Sequence, residues 1–343
     1  MLLPSQACKL FTEQFRGVIP FLHLGPVAIP TFGLMVACAM LAAFFMLRAD
    51  LIRRGLVAPT DNLPVKRSGK PAANIRSAAN AEAEMLIAIP CLAGIVGAKL
   101  YHVLESPADF FAHPLGQIVS PYGFAWFGGL LAGFAAFVLV GRRQKIPLLT
   151  LLDAGSPASA LGYGIGRIGC FLSGDGDYGI PTSLPWGMSF PNGLVPTTQR
   201  VHPTPIYELI VACFIAWWLW RIGARQIQEG GLKYGLTSVD GPANPELYAQ
   251  LQESSRRRIP SKVPPTRASQ PDRGQRRPPD GSVFASYLIL TGFARFLVEF
   301  IRINPRSFLG MSNAQAAGLA CVIAGAILSF WLAKHDRHTA VLP

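Results

Sequence analysis

Charge is what this sequence has least of. Only 15% of its residues are Asp, Glu, Lys or Arg and half are hydrophobic, whereas roughly a quarter of an ordinary soluble domain is charged. That composition excludes a water-soluble globular class and points to a membrane protein. Cysteine is sparse too, with six residues and no CxxC spacing. Cys38, Cys91, Cys213 and Cys321 fall inside apolar runs, as small buried hydrophobes do, so no disulfide framework, metal site or cofactor is expected. Cys170 stands apart because it follows Arg167 closely. The first 26 residues lack a charged segment, a short apolar core and a small-residue cleavage site in series, so no cleaved signal peptide is expected.

What is present is a series of apolar runs near the ~20 residues that a bilayer core requires. Seven are found: Val27 to Leu47, Met85 to Leu104, Tyr122 to Val140, Ile146 to Ile168, Ile206 to Trp220, Val283 to Ile301 and Asn313 to Leu332. The expected fold class is therefore an all-α membrane protein of seven transmembrane helices, a single integral membrane domain over residues 1–343. The fourth run is interrupted by Asp153, Pro157 and several glycines, which membrane helices tolerate where neighbours satisfy the backbone.

Lys and Arg in the connections set the orientation. With the N-terminus outside, residues 48–84, 141–145, 221–282 and 333–343 face the cytoplasm and carry 23 of the 31 basic residues. The external connections carry five, Lys9, Arg16, Arg200, Arg302 and Arg306. This asymmetry predicts the N-terminus outside and the C-terminus in the cytoplasm. It also accounts for most of the net charge of +12 through topology and attraction to anionic lipid, so no nucleic-acid partner is expected. Residues 225–280 include SSRRRIPSKVPPTRASQPDRGQRRPPDG, too poor in apolar side chains to offset its ordering entropy, and are expected to form a disordered basic cytoplasmic loop.

The remaining basic residues, Lys99, Arg167 and Arg295, lie within apolar runs. On this topology they share the outward depth of Glu208, Glu299, His102, His202 and the Gly128–Gly129 pair. Ionisable groups in a membrane are costly and commonly functional. Lys99 also fits simple snorkelling to the interface, and Arg295 with Glu299, four residues apart, also fits mutual neutralisation. Three cations and a glycine-rich turn at one level nevertheless describe an anion site, and guanidinium groups match phosphate oxygens in geometry and charge.

Several segments carry a resemblance: GPVAIPTFGLM, GAKLYHVLE, GFAWFGGLLAG, GRIGCFLSGDGDYG, LPWGMSFPNG, HPTPIYE, FARFLVEFIR and LGMSNAQ. In order and spacing the sequence resembles the bacterial prolipoprotein diacylglyceryl transferases. The resemblance implies a multi-pass inner-membrane enzyme with its active site toward the outer leaflet. It also implies transfer of the diacylglyceryl group of phosphatidylglycerol to the lipobox cysteine of a preprolipoprotein, with release of glycerol phosphate. Its partners would be phosphatidylglycerol, the lipobox segment and membrane lipid. Carried over by position, the family's signature arginine is Arg167 and its second arginine Arg295, with Glu299, Arg302, Tyr207 and Glu208 also matching. Lys99, Gly128 and Gly129 join these as candidate lipid-binding residues. The sequence departs from the family pattern at Phe127, where many members have histidine, and at Cys170, Phe32, Thr291, Ser173 and Asp175.

The reaction needs stabilisation of charge on a leaving phosphate and a raised thiolate fraction. Arg167 and Arg295 suit the first, and their field also lowers a thiol pKa from about 8.5. With phenylalanine at position 127, the candidate general bases are His202, His102 and Glu299, with His202 ranked first for its place before the fifth helix. A non-catalytic lipid- or lipoprotein-binding relative is the rival reading. An anion transporter would call for inverted repeats and midplane charges, and neither is found in the sequence.

Overall fold

The computed structural model describes residues 18–24, 27–54, 56, 73–120, 125–230, 278–307 and 309–339. Most of residues 225–280, and most of the first 26, lie outside them. Among these residues nine helices follow in chain order: α1 Thr31–Arg53, α2 Ala73–Glu105, α3 Pro107–Ala112, α4 Pro114–Val119, α5 Trp126–Arg143, α6 Leu148–Ser173, α7 Thr204–Gly230, α8 Ser282–Val298 and α9 Asn313–Thr339. Two antiparallel ribbons accompany them, β1 Phe21–Leu24 with β2 Val27–Pro30 and β3 Met188–Phe190 with β4 Thr197–Val201. The chain is thus a mostly helical membrane protein. Among the described residues, four segments are long and apolar enough to cross a bilayer: Thr31–Arg53, Glu84–Glu105, Thr204–Gln226 and Asn313–His335.

Helix α6 runs unbroken through Pro157, and the Ser156 hydroxyl donates to the Leu152 carbonyl within it. The sixth apolar run was expected to reach Ile301, yet α8 ends at Val298. The run ends in turns, with Phe300 N–H donating to the Leu297 carbonyl and Ile301 N–H to that of Val298, and the Ile301 carbonyl accepts from the backbone N–H of Ile180 at 2.8 Å.

The described residues pack as two compact units. In one, comprising 48–151 and 225–278, helices α2 and α5 touch through glycine. A Cβ at Gly97 would lie 2.6 Å from the Gly128 carbonyl oxygen, and one at Gly129 would lie 3.2 Å from that of Gly94. Small residues at such a crossing let backbones approach without any side chain between them. Leu86, Val140 and Leu151 form the adjacent buried cluster. Asp50, fully buried, pairs with Arg53 and with Arg54, whose Nε lies 2.7 Å away.

The other unit holds 1–47, 152–224 and 279–343. Ala160 of α6, Ile215, Ala216 and Leu219 of α7 and Val283 of α8 make its buried apolar centre. Helices α8 and α9 meet at Gly292 and Gly318, where a Cβ on Gly318 would stand 2.7 Å from the Gly292 carbonyl oxygen. Asp153 of α6, with no exposed surface, accepts from the backbone N–H groups of Gly281 and Phe284 at 2.7 and 2.8 Å. It satisfies donors that the start of α8 would otherwise leave open. Asp153→Ala should lower stability by about 1–3 kcal/mol, and Asp153→Asn, which keeps an acceptor oxygen, by less. Thermal midpoints of the detergent-solubilised variants would measure both.

Candidate active site

The turn that follows α6 sets the geometry. Gly174 and Gly176 have φ of +58° and +92°, values at which a side chain is strained, and the chain reverses there. Residues 179–182 then lie between two other stretches. Gly179 N–H donates to the His202 carbonyl at 2.9 Å, Thr182 N–H to the Arg200 carbonyl at 2.8 Å, and Ile180 N–H to Ile301 on the opposite side. Gly179 also forms an isolated bridge with Arg302. A Cβ at Gly179 would sit 2.5 Å from the Ile301 carbonyl oxygen and 2.9 Å from the His202 Cβ, so this crossing admits glycine. The ribbon of β3 and β4 braces the turn from outside: Tyr178 stacks on buried Phe190 at 4.9 Å between ring centroids. Arg200 spends its guanidinium on the carbonyls of Leu184, Pro185 and Gly187.

Three arginines and three carboxylates meet in this unit. Arg167, from the last turns of α6, pairs with Asp177 and, through Nε, with Glu208 at 3.3 Å. Arg295 of α8 reaches Glu208 at 2.8 Å and Glu299 at 3.2 Å. Arg302 pairs with Asp177, lies 3.4 Å from Glu208 and 3.7 Å from Glu299. Glu208, one turn into α7, therefore joins all three guanidiniums, and it also accepts from the Tyr163 hydroxyl at 2.7 Å. Glu299 is held by the Ser312 hydroxyl at 2.9 Å and by Asn304. Side-chain exposure grades the carboxylates: 0% for Glu299, 5% for Glu208 and 31% for Asp177.

The charges stabilise one another. Burial pushes the Asp177 carboxyl up, but Arg302 and Arg167 outweigh it and hold the group below its ordinary value. Its contribution to stability is thus complete above the free carboxylate value of about 4 and is lost as pH falls through the lowered value of the folded state. Asp175 moves the other way, because burial and the neighbouring Asp177 charge both raise it. For Arg302, burial works against the charge, and Asp177 and Glu208 overcome it.

The sequence-derived candidates divide into two groups. Arg167, Glu208, Arg295, Glu299 and Arg302 converge as one ion-pair network. His202 and Tyr207 belong to the same unit and share a hydrogen bond of 3.2 Å between Nδ1 and the phenol oxygen, which also accepts from the Trp186 indole at 2.8 Å. Lys99, Gly128 and Gly129 belong to the other unit, where Lys99 donates to the Ser120 carbonyl at 2.9 Å and the glycines form the helix contact described above. Sequence reasoning missed Asp177, Tyr163, Asn304 and Ser312. Tyr163 had a readable signal, since it precedes Arg167 by one helical turn; the guanidinium carbon lies 4.7 Å from its ring centroid.

Three of the departures from the family pattern have visible surroundings. Phe32 and Met35 lie against Gly169, where a Cβ would be 3.2 Å from the Phe32 ring. Thr291 turns its hydroxyl back to the Tyr287 carbonyl at 2.6 Å, while the Tyr163 phenol reaches Glu208. Cys170 Sγ lies 3.7 Å from an Arg167 nitrogen. Cys170, Asp175 and Asp177 place ligand atoms within 4.8 Å of one another, but Asp177 is already engaged by two guanidiniums, so arginine supplies the positive charge at this cluster.

Helices of membrane-spanning length and a half-sequestered, arginine-centred charge cluster define a multi-pass membrane protein with a site suited to an anionic group. The sequence profile of prolipoprotein diacylglyceryl transferase matches residues 20–236 and 268–331, and the chain belongs to that family. Among its relatives are proteins named phosphatidylglycerol--prolipoprotein diacylglyceryl transferase. The one from Geobacter sulfurreducens is 28% identical over 302 residues, 87% of each chain. That from Bordetella avium is 28% identical over 328 residues, 92% of this chain and 94% of the relative. A third, from Synechococcus elongatus, is 31% identical over 227 residues, 63% and 70% of the two chains.

Proposed function

We propose that this protein transfers the diacylglyceryl group of phosphatidylglycerol to the lipobox cysteine thiol of a preprolipoprotein and releases glycerol phosphate. The observation that carries the reading is the convergence of Arg167, Arg295 and Arg302 on Glu208, within a family whose relatives are named for this reaction. The substrate sulfur attacks the glycerol carbon next to the phosphate ester, the carbon–oxygen bond breaks, and the phosphate leaves with the electron pair. Arg167 and Arg295 stabilise the charge that grows on its oxygens. Glu208 and Glu299 fix the guanidinium planes before substrate arrives, so little reorganisation is needed during the reaction. The same positive field favours the thiolate.

His202 is the proposed general base, with Tyr207 orienting its ring through the bond at Nδ1. His202→Ala should then lose activity near neutral pH and regain part of it as the medium approaches the thiol pKa of about 8.5. Transfer of labelled lipid to a lipobox peptide across pH tests this, and identical profiles for wild type and variant would exclude His202. If the arginine field supplies most of the activation, Phe127→His should change the rate only modestly. Absence of transfer by the wild type at any pH would favour a non-catalytic, lipid-binding relative.

The proposed arrangement is a single integral domain of seven spans in the bacterial inner membrane, N-terminus outside and C-terminus cytoplasmic, with residues 225–280 as a basic inner loop and the site toward the outer leaflet. The distribution of Lys and Arg supports it. A reporter fused after Arg258 should be cytoplasmic and one placed within residues 174–179 external; the reverse pattern would overturn the orientation.

A further inference from the structure

We infer that the Asp177 carboxylate is a built-in occupant of the phosphate subsite, one that a substrate phosphate must displace; this rests on the function proposed above. Asp177 bridges two guanidiniums, with Oδ1 accepting from Arg302 and Oδ2 from Arg167. Two non-ester oxygens of a phosphate, each facing one arginine, would make the same pair of contacts. Charge counting agrees. Three arginines against Asp177, Glu208 and Glu299 leave the cluster neutral, so a phosphodiester carrying one negative charge enters without a net excess only if one carboxylate gives way.

Asp177 is the carboxylate suited to leave. Glu299 and Glu208 are almost fully enclosed and are held by additional donors: Ser312 and Asn304 for the first, Tyr163 for the second. The Asp177 carboxylate has 31% of its side chain exposed and its bonds are to the two arginines. Its backbone is tied independently, the carbonyl by the Thr204 hydroxyl and the N–H by Asp175 at 3.2 Å. Rotation about the side-chain bonds therefore releases the donors that face Asp177, while Glu208 still holds both guanidiniums and the turn stays in place. The device keeps Arg167 and Arg302 aligned before substrate binds and supplies a competitor that helps eject the glycerol phosphate product.

The test compares wild type with Asp177→Asn and Asp177→Ser in a transfer assay, with sn-glycerol phosphate, inorganic phosphate and phosphatidylglycerol vesicles as separate arms. Loss of the competing charge should lower the inhibition constant for glycerol phosphate by at least about tenfold, lower KM for phosphatidylglycerol, and lower kcat as product leaves more slowly. Inhibition by inorganic phosphate as well would assign the subsite to phosphate in general; inhibition by glycerol phosphate alone would assign it to the headgroup. An unchanged or weaker inhibition by both in the neutral variants, with KM unaltered or raised, would make Asp177 a structural strut and overturn the inference. If wild type transfers no lipid, the proposed function fails, and thermal-shift titration with glycerol phosphate still compares the three proteins for Asp177. If the neutral variants do not accumulate, wild type carries the test. Carbodiimide labelling of Asp177, read by peptide mass spectrometry, should rise in phosphatidylglycerol bilayers relative to an uncharged galactolipid, and equal labelling would refute displacement.

Discussion

Alanine at Arg167 or at Arg295 will abolish diacylglyceryl transfer while the protein still inserts in the membrane. Each guanidinium is lodged between two carboxylates, and the two share Glu208. Loss of one preorganised donor to a developing oxyanion typically costs ~100- to 1,000-fold in rate, and loss of a full charge aimed at a phosphate should cost at least that. Lysine should restore little at either position, because a point charge cannot hold two carboxylates in the planar manner of guanidinium. The measurement is lipid transfer to a lipobox peptide, normalised to membrane-inserted protein. Full activity in both alanine variants would eliminate the phosphate-binding role.

The second large effect is expected at Glu208, and there stability should suffer together with activity. Among the described residues Glu208 is the one carboxylate that contacts Arg167, Arg295 and Arg302 together, and it is nearly buried. Removing one partner from a buried charge group costs about 3–5 kcal/mol because the opposite charge is left without compensation. Glu208→Ala should therefore accumulate poorly and unfold at a lower temperature. Glu208→Gln preserves an acceptor for the Tyr163 hydroxyl and should fold better, yet transfer slowly because the cluster gains one positive charge. Equal stability of Glu208→Ala and wild type would show that the arginines find other partners at little cost.

The apolar runs were legible because a bilayer imposes length and composition on whatever crosses it, and each run coincides at least in part with a helix. Arg167, Arg295, Glu208 and Glu299 were legible for the same reason, since charge within such a run is conspicuous. Their convergence was not. Asp177 and Arg302 lie 125 residues apart in sequence, in connections where charge is ordinary, and only the folded turn brings them together. The ribbons escaped notice because strands of three to five residues carry too short an alternation to separate from loop. Lys99 and Gly128 entered the candidate set by depth alone, and depth does not specify which neighbour a side chain meets. For the glycines, the neighbour is another helix backbone.

The strand-like crossing of residues 179–182 with the stretches at 200–202 and 301–302 also has a meaning in time. During synthesis Arg167, Asp177 and Glu208 leave the ribosome together, one positive charge with two negative, and form an acidic, incomplete cluster. Arg295 and Arg302 arrive 87 and 94 residues after Glu208. Only when residue 301 pairs with residue 180 does the cluster become neutral and the crossing close. A nascent chain halted before α8 should thus keep this turn accessible to protease, whereas completion of α8 and the five or so residues beyond it should protect it. Assembly of the site is then a late event in biogenesis, set by the last arginine to emerge.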